Sequence, residues 1–251
     1  MDGENMYYRL QEFFNGMNQN FSLLEDPVDV NVQMQYFEIS FRARENIKES
    51  DIIARKDELF DPAVSLEKKK ILLVQMAGFP SPELYRALES YAKKPDKELI
   101  DWAKMAVQEN KLLLESHLLD KNQQVFISTG LGGKGHKLRY FVVLVNNESN
   151  DLKEFQQKIV KDEMHYALQR YDGELEKLNF SSRYTTMRVV LPLSSDISKL
   201  FSDGIEECNQ FGNFLSTNFI VTNLKEMNEK EINEALSVYH PITDDDFPPV
   251  E

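Results

Sequence analysis

Cysteine is almost missing from the chain. The one thiol, Cys208, excludes an internal disulfide and suits a reducing compartment, so a cytoplasmic location is expected. Histidine is scarce too: His117, His136, His165 and His240 stand far apart, none at a metal-binding interval, so no metal and no cofactor is implied. Cations are outnumbered, 29 Lys and Arg against 42 Asp and Glu. The resulting net charge of −13 repels phosphate backbones, which disfavours nucleic acid and anionic membrane as partners. Long apolar runs are absent as well. The longest, residues 140–145, falls far short of the roughly 20 residues of a membrane helix and reads as a buried strand. The opening Met1-Asp2-Gly3-Glu4 is acidic where a secretory signal would be basic, so the chain is expected to begin there unprocessed.

What is present suffices for a folded protein: 251 residues with 41% hydrophobic side chains can close one large core or two modest ones. Residues 5–120 carry apolar positions at three- and four-residue intervals, the signature of helix. Tyr7, Leu10, Phe14 and Met17 form one stripe, and Met34, Phe37, Phe41 and Ala43 lie in a second candidate helix. Pro62, Pro80 and Pro82 punctuate the segment, because proline is tolerated in a helix's first turn and not in its interior. Helices are expected over 66–78, 83–93 and 97–118.

Residues 82–106 place one helix before Lys94-Pro95-Asp96 and open a second with an acidic turn and a small-residue stripe at Ala103 and Ala106. This stretch resembles a HEAT-type helical repeat, with an earlier copy over 57–78, where Asp61-Pro62 and Ile71-Leu72-Leu73-Val74 hold similar places. The resemblance spans the region around 57–115 and implies a stacked helical surface that binds partners. The same residues also satisfy any antiparallel helix pair.

Beyond Asp120 the period becomes extended, which marks the expected boundary between a helical domain, 1–120, and an α/β domain, 121–240. Strands over 124–128 and 138–145 flank a glycine-rich loop and read as a hairpin. A long helix carrying Leu152, Phe155, Ile159, Met164, Ala167, Tyr171, Leu175 and Leu178 follows, then strand 184–191, a helix after Ser195, strand 214–222 and a helix over 225–239. The order ββαβαβα makes the chain α+β overall, with a small mixed-sheet α/β sandwich built on parallel crossovers. A ferredoxin-like split arrangement is the alternative. Residues 241–251, acidic and proline-rich, read as a loose tail.

The most unusual segment holds Gly130, Gly132, Gly133, Lys134, Gly135, His136 and Lys137, with Arg139 just beyond. Exposed backbone N–H groups and these side chains could cradle an anion. The spacing departs from a phosphate-binding loop, and a strand follows where that loop needs a helix. A hairpin tip is the plainer reading. Parallel strands would also gather Asn146, Asn147, Ser194, Ser195, Asp196, Thr222 and Asn223 at one edge, opposite the glycine loop. For Ser194, Ser195 and Asp196 helix capping is the simpler role. Cys208 and Trp102 read as core, and the pairs Asp57-Glu58 and Asp162-Glu163 as solvated helix faces.

No nucleophile and base, and no ligand set, single out a catalytic centre, so whether the chain is an enzyme stays open. The resulting expectation is a non-enzymatic adaptor that binds a protein through its helical half. The alternative is an enzyme or binding domain for a small anionic or nucleotide-like ligand at residues 130–137.

Overall fold

The computed structural model describes residues 21–118, 125–147 and 151–238. The stripe at Tyr7, Leu10, Phe14 and Met17 and the tail at 241–251 lie outside them. The class is α+β. The helical part contains α1 (Val30–Ala43), α2 (Glu49–Arg55), a 3₁₀ turn (Lys56–Phe60), α3 (Leu66–Ala77), α4 (Pro82–Ala92), a second 3₁₀ turn (Lys97–Leu99) and α5 (Ile100–Leu118). Pro82 sits in the first turn of α4, where its missing N–H costs nothing. Asp29 caps α1, its carboxylate accepting from the N–H groups of Asn31 at 2.8 Å and Val32 at 3.4 Å. Leu72, Leu73, Met76, Leu84, Leu88, Trp102 and Met105 fill a common core.

Helix α1 presents a different face from the one its apolar spacing suggests. Tyr36 and Gln33 are buried, while Met34, Phe37 and Phe41 are 66%, 42% and 83% exposed. A polar clamp accounts for the choice. Tyr36 donates to Glu109 at 2.7 Å, and Arg44 donates two hydrogen bonds of 2.7 Å to the same carboxylate while also reaching the Val74 carbonyl. Charge-assisted bonds satisfied at three helices outweigh the burial of these three apolar side chains. Lys69, 3% exposed, is held likewise by Asp96 at 2.7 Å, which also accepts from Tyr91.

The second part comprises β2 (Val125–Ile127), β3 (Gly133–Lys134), β4 (Lys137–Asn146), α6 (Glu154–Arg170), β5 (Glu174–Phe180), β6 (Tyr184–Pro192), α7 (Ile197–Asn209), β7 (Leu215–Thr222) and α8 (Glu229–Val238). The sheet runs β5-β6-β4-β7, with β3 on the first residues of β4, and every pairing in it is antiparallel. Parallel crossovers are therefore corrected, and the split arrangement is the one formed. The cause is β5. Leu175 and Leu178 continue the helical spacing of α6, but Asp172 at φ +54° and Gly173, whose N–H bonds to the Leu168 carbonyl, end that helix first. The added strand reverses the direction of everything after it.

Helices α6 and α7 cover one face of the sheet, burying Tyr140, Val142, Leu144, Met187, Val189 and Leu191 against Met164, Leu168, Phe201 and Cys208. On the opposite face Phe141, Val143 and Tyr184 pack with Leu131 and Ile232 of α8. The expected hairpin of 124–128 with 138–145 is not formed. Instead β2 pairs in parallel with β1 (Phe21–Leu23), a strand in a region whose spacing reads as helical. Leu23 thus joins the core of the sheet, whereas Leu24 joins the helical core. Among the described residues, no helix is long and apolar enough to cross a membrane.

Two outcomes follow from this packing. Leu23→Ala should lower the stability of the full chain by about 2–4 kcal/mol and speed amide exchange in β2 and β4, although the residue precedes the helical part; urea unfolding with exchange mass spectrometry checks it. Burial, with the Glu163 and Glu207 charges adding to it, pushes the Cys208 thiol up to about 12. Its reaction with an aromatic disulfide at pH 8 should accelerate roughly a hundredfold or more on denaturation.

Candidate ligand-binding cleft

The glycine-rich loop is built as a joint and its charges are already matched. A Cβ at Gly130 would lie 1.6 Å from the Leu224 carbonyl oxygen, and one at Gly132, with φ +67°, 2.3 Å from that of Glu25. Neither position has room for a side chain. The Gly133 N–H donates to the Glu25 carbonyl at 3.1 Å, and the Gly135 N–H donates to the Glu25 carboxylate at 2.9 Å. A carboxylate from the distant Glu25 therefore holds the place of the anion expected there. Gly135, with φ +61°, and His136 form the two-residue turn between β3 and β4.

The cations around the loop are engaged too. Lys134 pairs with Glu174 at 2.7 Å, Lys137 with Asp172 at 2.9 Å, and Arg139 with Glu176 at 2.7 Å. Glu176 also accepts from Arg188 at 2.9 Å, and Arg188 reaches Glu226 at 2.9 Å. The hydrogen bond from Arg139, aided by the charge of Arg188, holds the Glu176 carboxyl below the usual carboxylate range. The structure brings the sequence-predicted residues together but assembles them as packing and ion pairs.

Antiparallel pairing also redistributes the expected edge of polar residues. Lys137 lies opposite Pro192, so Ser194, Ser195 and Asp196 stand at the same end of the sheet as the glycine loop. Thr222 pairs with Phe141, and the Asn223 carbonyl accepts from Leu131 beside that loop. Asp196 caps α7, accepting from the Lys199 N–H at 3.0 Å. Asn146 and Asn147 are left at the other end. His165 bonds to Gln169 at 3.0 Å, Glu58 pairs with Arg55, and His240 lies outside the described residues. Among the described residues no group of three or more His, Cys, Asp or Glu side chains converges to hold a metal ion.

The Asn146 end carries an open cleft of about 500 Å³, lined by Val145, Asn146, Asn147, Arg183, Asn213, Leu215, Ser216, Thr217, Asn218 and Leu236. Its walls are set by local hydrogen bonds. Asn147 donates to the carbonyls of Asn213 and Leu215, each at 3.0 Å, where the pairing of β4 with β7 is interrupted by a bulge. Asn146 donates to the Ser181 and Ser182 carbonyls and fixes the β5–β6 turn that presents Arg183. Asn209 clamps Leu215 from below, its amide donating to the Leu215 carbonyl at 2.7 Å and accepting from the Leu215 N–H at 2.9 Å.

Arg183 is exposed, makes no ion pair among the described residues, and is the single charged side chain on the cleft wall. No hydrogen bond among the described residues engages the side chains of Arg183, Thr217 or Asn218. In a chain with 42 acidic residues, a cleft whose described lining holds one free cation and no acid is a local reversal of the overall charge. Sequence reasoning singled out Asn146 and Asn147 but missed Arg183, Asn213 and Asn218. The clustering of Asn and Ser at 209–218 was the available signal.

No family model and no curated protein matches this chain. Solved structures do match. A protein of Deinococcus radiodurans R1, provisionally described as a transposase, shares 15% identity over 43% of this chain and 95% of its own, with a TM-score of 0.36. A REP-associated tyrosine transposase bound to a REP hairpin shares 12% over 39% of this chain and 61% of its own, with a TM-score of 0.31. These findings stand against the expected non-enzymatic adaptor, against its helical-repeat and protein-binding description, and against the exclusion of nucleic acid. Net charge is a whole-chain sum and does not set the field inside one cleft. At such identities and TM-scores the likeness assigns no activity, ligand or residue role to this chain.

The Arg139-Glu176-Arg188 network yields a pH test. A carboxyl with a lowered folded-state pKa adds stability that is complete above its unfolded value, about 4.3, and is lost as pH falls through the folded value. Glu176→Gln should therefore cost about 1–2 kcal/mol at pH 7, with the difference from the parent shrinking below pH 4; thermal unfolding across pH 3–7 measures both.

Proposed function

We propose that the cleft at the Asn147–Asn213 end of the sheet binds a nucleotide unit. Its phosphate sits on Arg183, and its base edge meets the amides of Asn213 and Asn218. The observation that carries this reading is the cleft wall itself, where one unpaired guanidinium stands among uncharged polar side chains. Guanidinium is suited to phosphate because its planar fork donates two parallel hydrogen bonds. Side-chain amides offer the adjoining donor and acceptor that a base edge presents in return. Val145, Leu215 and Leu236 supply an apolar floor for the flat ring.

Two further parts of the reading concern the whole chain. A division into a helical domain, 1–120, and an α/β domain, 121–240, is supported by their separate cores, with Leu23 crossing between them. A cytoplasmic location is supported by the single buried thiol.

Titration calorimetry of the full chain with AMP, adenosine and inorganic phosphate tests the binding. AMP should bind more tightly than either fragment. Arg183→Ala should weaken it about tenfold or more and Asn218→Ala about threefold, consistent with one charged and one neutral hydrogen bond. Absence of AMP binding at millimolar concentration, or binding that ignores Arg183→Ala, overturns the proposal.

A further inference from the structure

A second cavity, about 310 Å³, adjoins the cleft and shares Asn146 and Asn213 with it as wall residues. Its other lining residues are Asp151, Leu152, Lys153, Gln156, Gly212 and Phe214. Leu152 and Phe214 are buried and form an apolar base, while Gln156 and Lys153 stand at the rim. Lys153 is exposed and makes no ion pair among the described residues. Each cavity falls within the range that holds a small ligand, about 300–1,000 Å³. Each also combines apolar surface, side-chain amides and one unpaired cation. The requirements of a base and a phosphate are thus met twice, side by side, across a shared wall.

From this repetition we infer that the ligand is a single-stranded oligonucleotide of at least two units, running from Arg183 past Asn213 to Lys153. This rests on the nucleotide reading of the first cleft and extends it to the polymer. A duplex is a poor fit, because its bases are stacked and paired and cannot offer their edges to two separate cavities. Asp151 borders the second cavity and opposes the second phosphate, so its carboxylate sets an upper limit on affinity there.

Counter-ion release gives the inference a number. Log affinity for a single strand falls with log salt at a slope of about −0.7 per neutralised phosphate, so two contacts predict about −1.4. Fluorescence anisotropy with end-labelled dA1, dA2 and dA4, and with a dA–dT duplex, between 50 and 300 mM salt reads affinity and slope together. Tighter binding of dA2 and dA4 than dA1 is expected. Lys153→Ala should weaken dA4 about three- to tenfold and bring its slope toward −0.7, while leaving dA1 unchanged; Asp151→Asn should tighten dA4 severalfold. Arg183→Ala should weaken all three. If dA4 binds no better than dA1, if its affinity ignores Lys153→Ala, or if duplex binds as well as the single strand, the polymer inference falls while the nucleotide reading stands. If no dA species binds, both fall.

Discussion

The direction of strand β6 governs what the rest of the α/β part can be. Asp172 and Gly173 stop α6 early enough for Glu174–Phe180 to form a strand, and that strand turns the chain once more than a simple crossover would. Both β6 and β7 then run against β4. The β5–β6 turn consequently comes back to the end of β4, and so does the start of β7. Arg183, Asn147 and Asn213 meet because of that reversal. With parallel strands, the same residues would lie at opposite edges of the sheet.

The two halves are joined by backbone as much as by side chains. Residues 21–26 leave a short parallel strand on β2, place Leu23 in one core and Leu24 in the other, and press the Glu25 carbonyl into the turn at Gly132 and Gly133. Glycine is required there because the two chains approach more closely than any Cβ permits. The local backbone N–H groups that could have bound an external anion instead bond to Glu25. Lys134, Lys137 and Arg139, the cations that would have assisted them, hold β5 and its preceding turn through Glu174, Asp172 and Glu176.

Charge is distributed accordingly. Most cations of the sheet are spent on internal pairs, which is how a chain with net charge −13 keeps its strands from repelling one another. Arg183, in the β5–β6 turn, and Lys153, just before α6, make no ion pair among the described residues, and both border the end of the sheet where two cavities share a wall. An unpaired cation among uncharged amides keeps its full attraction for an anion, since among the described residues no carboxylate lines the Arg183 cleft. At the Lys153 cavity Asp151 does compete, so the two positions differ in strength.

Local signals determined the helices of the first half. Proline at 82, the apolar spacing of 66–77 and the small-residue stripe of 100–118 each act within a few turns, so helix existence and limits were legible in the residues themselves. The α+β class, the buried strand over 137–146 and the buried thiol of Cys208 were legible for the same reason. Tertiary structure alone decided which face of α1 is buried, because Tyr36 and Arg44 answer to Glu109, distant in sequence. It alone decided β5, whose Leu175 and Leu178 stand at the helical interval of three and reach the same core from a strand only because the register shifts between Leu175 and Lys177. The cleft depended on both: its asparagines are visible in sequence, but their meeting with Arg183 follows from strand direction, which hydrogen-bond pairing across the whole sheet sets and no local spacing records.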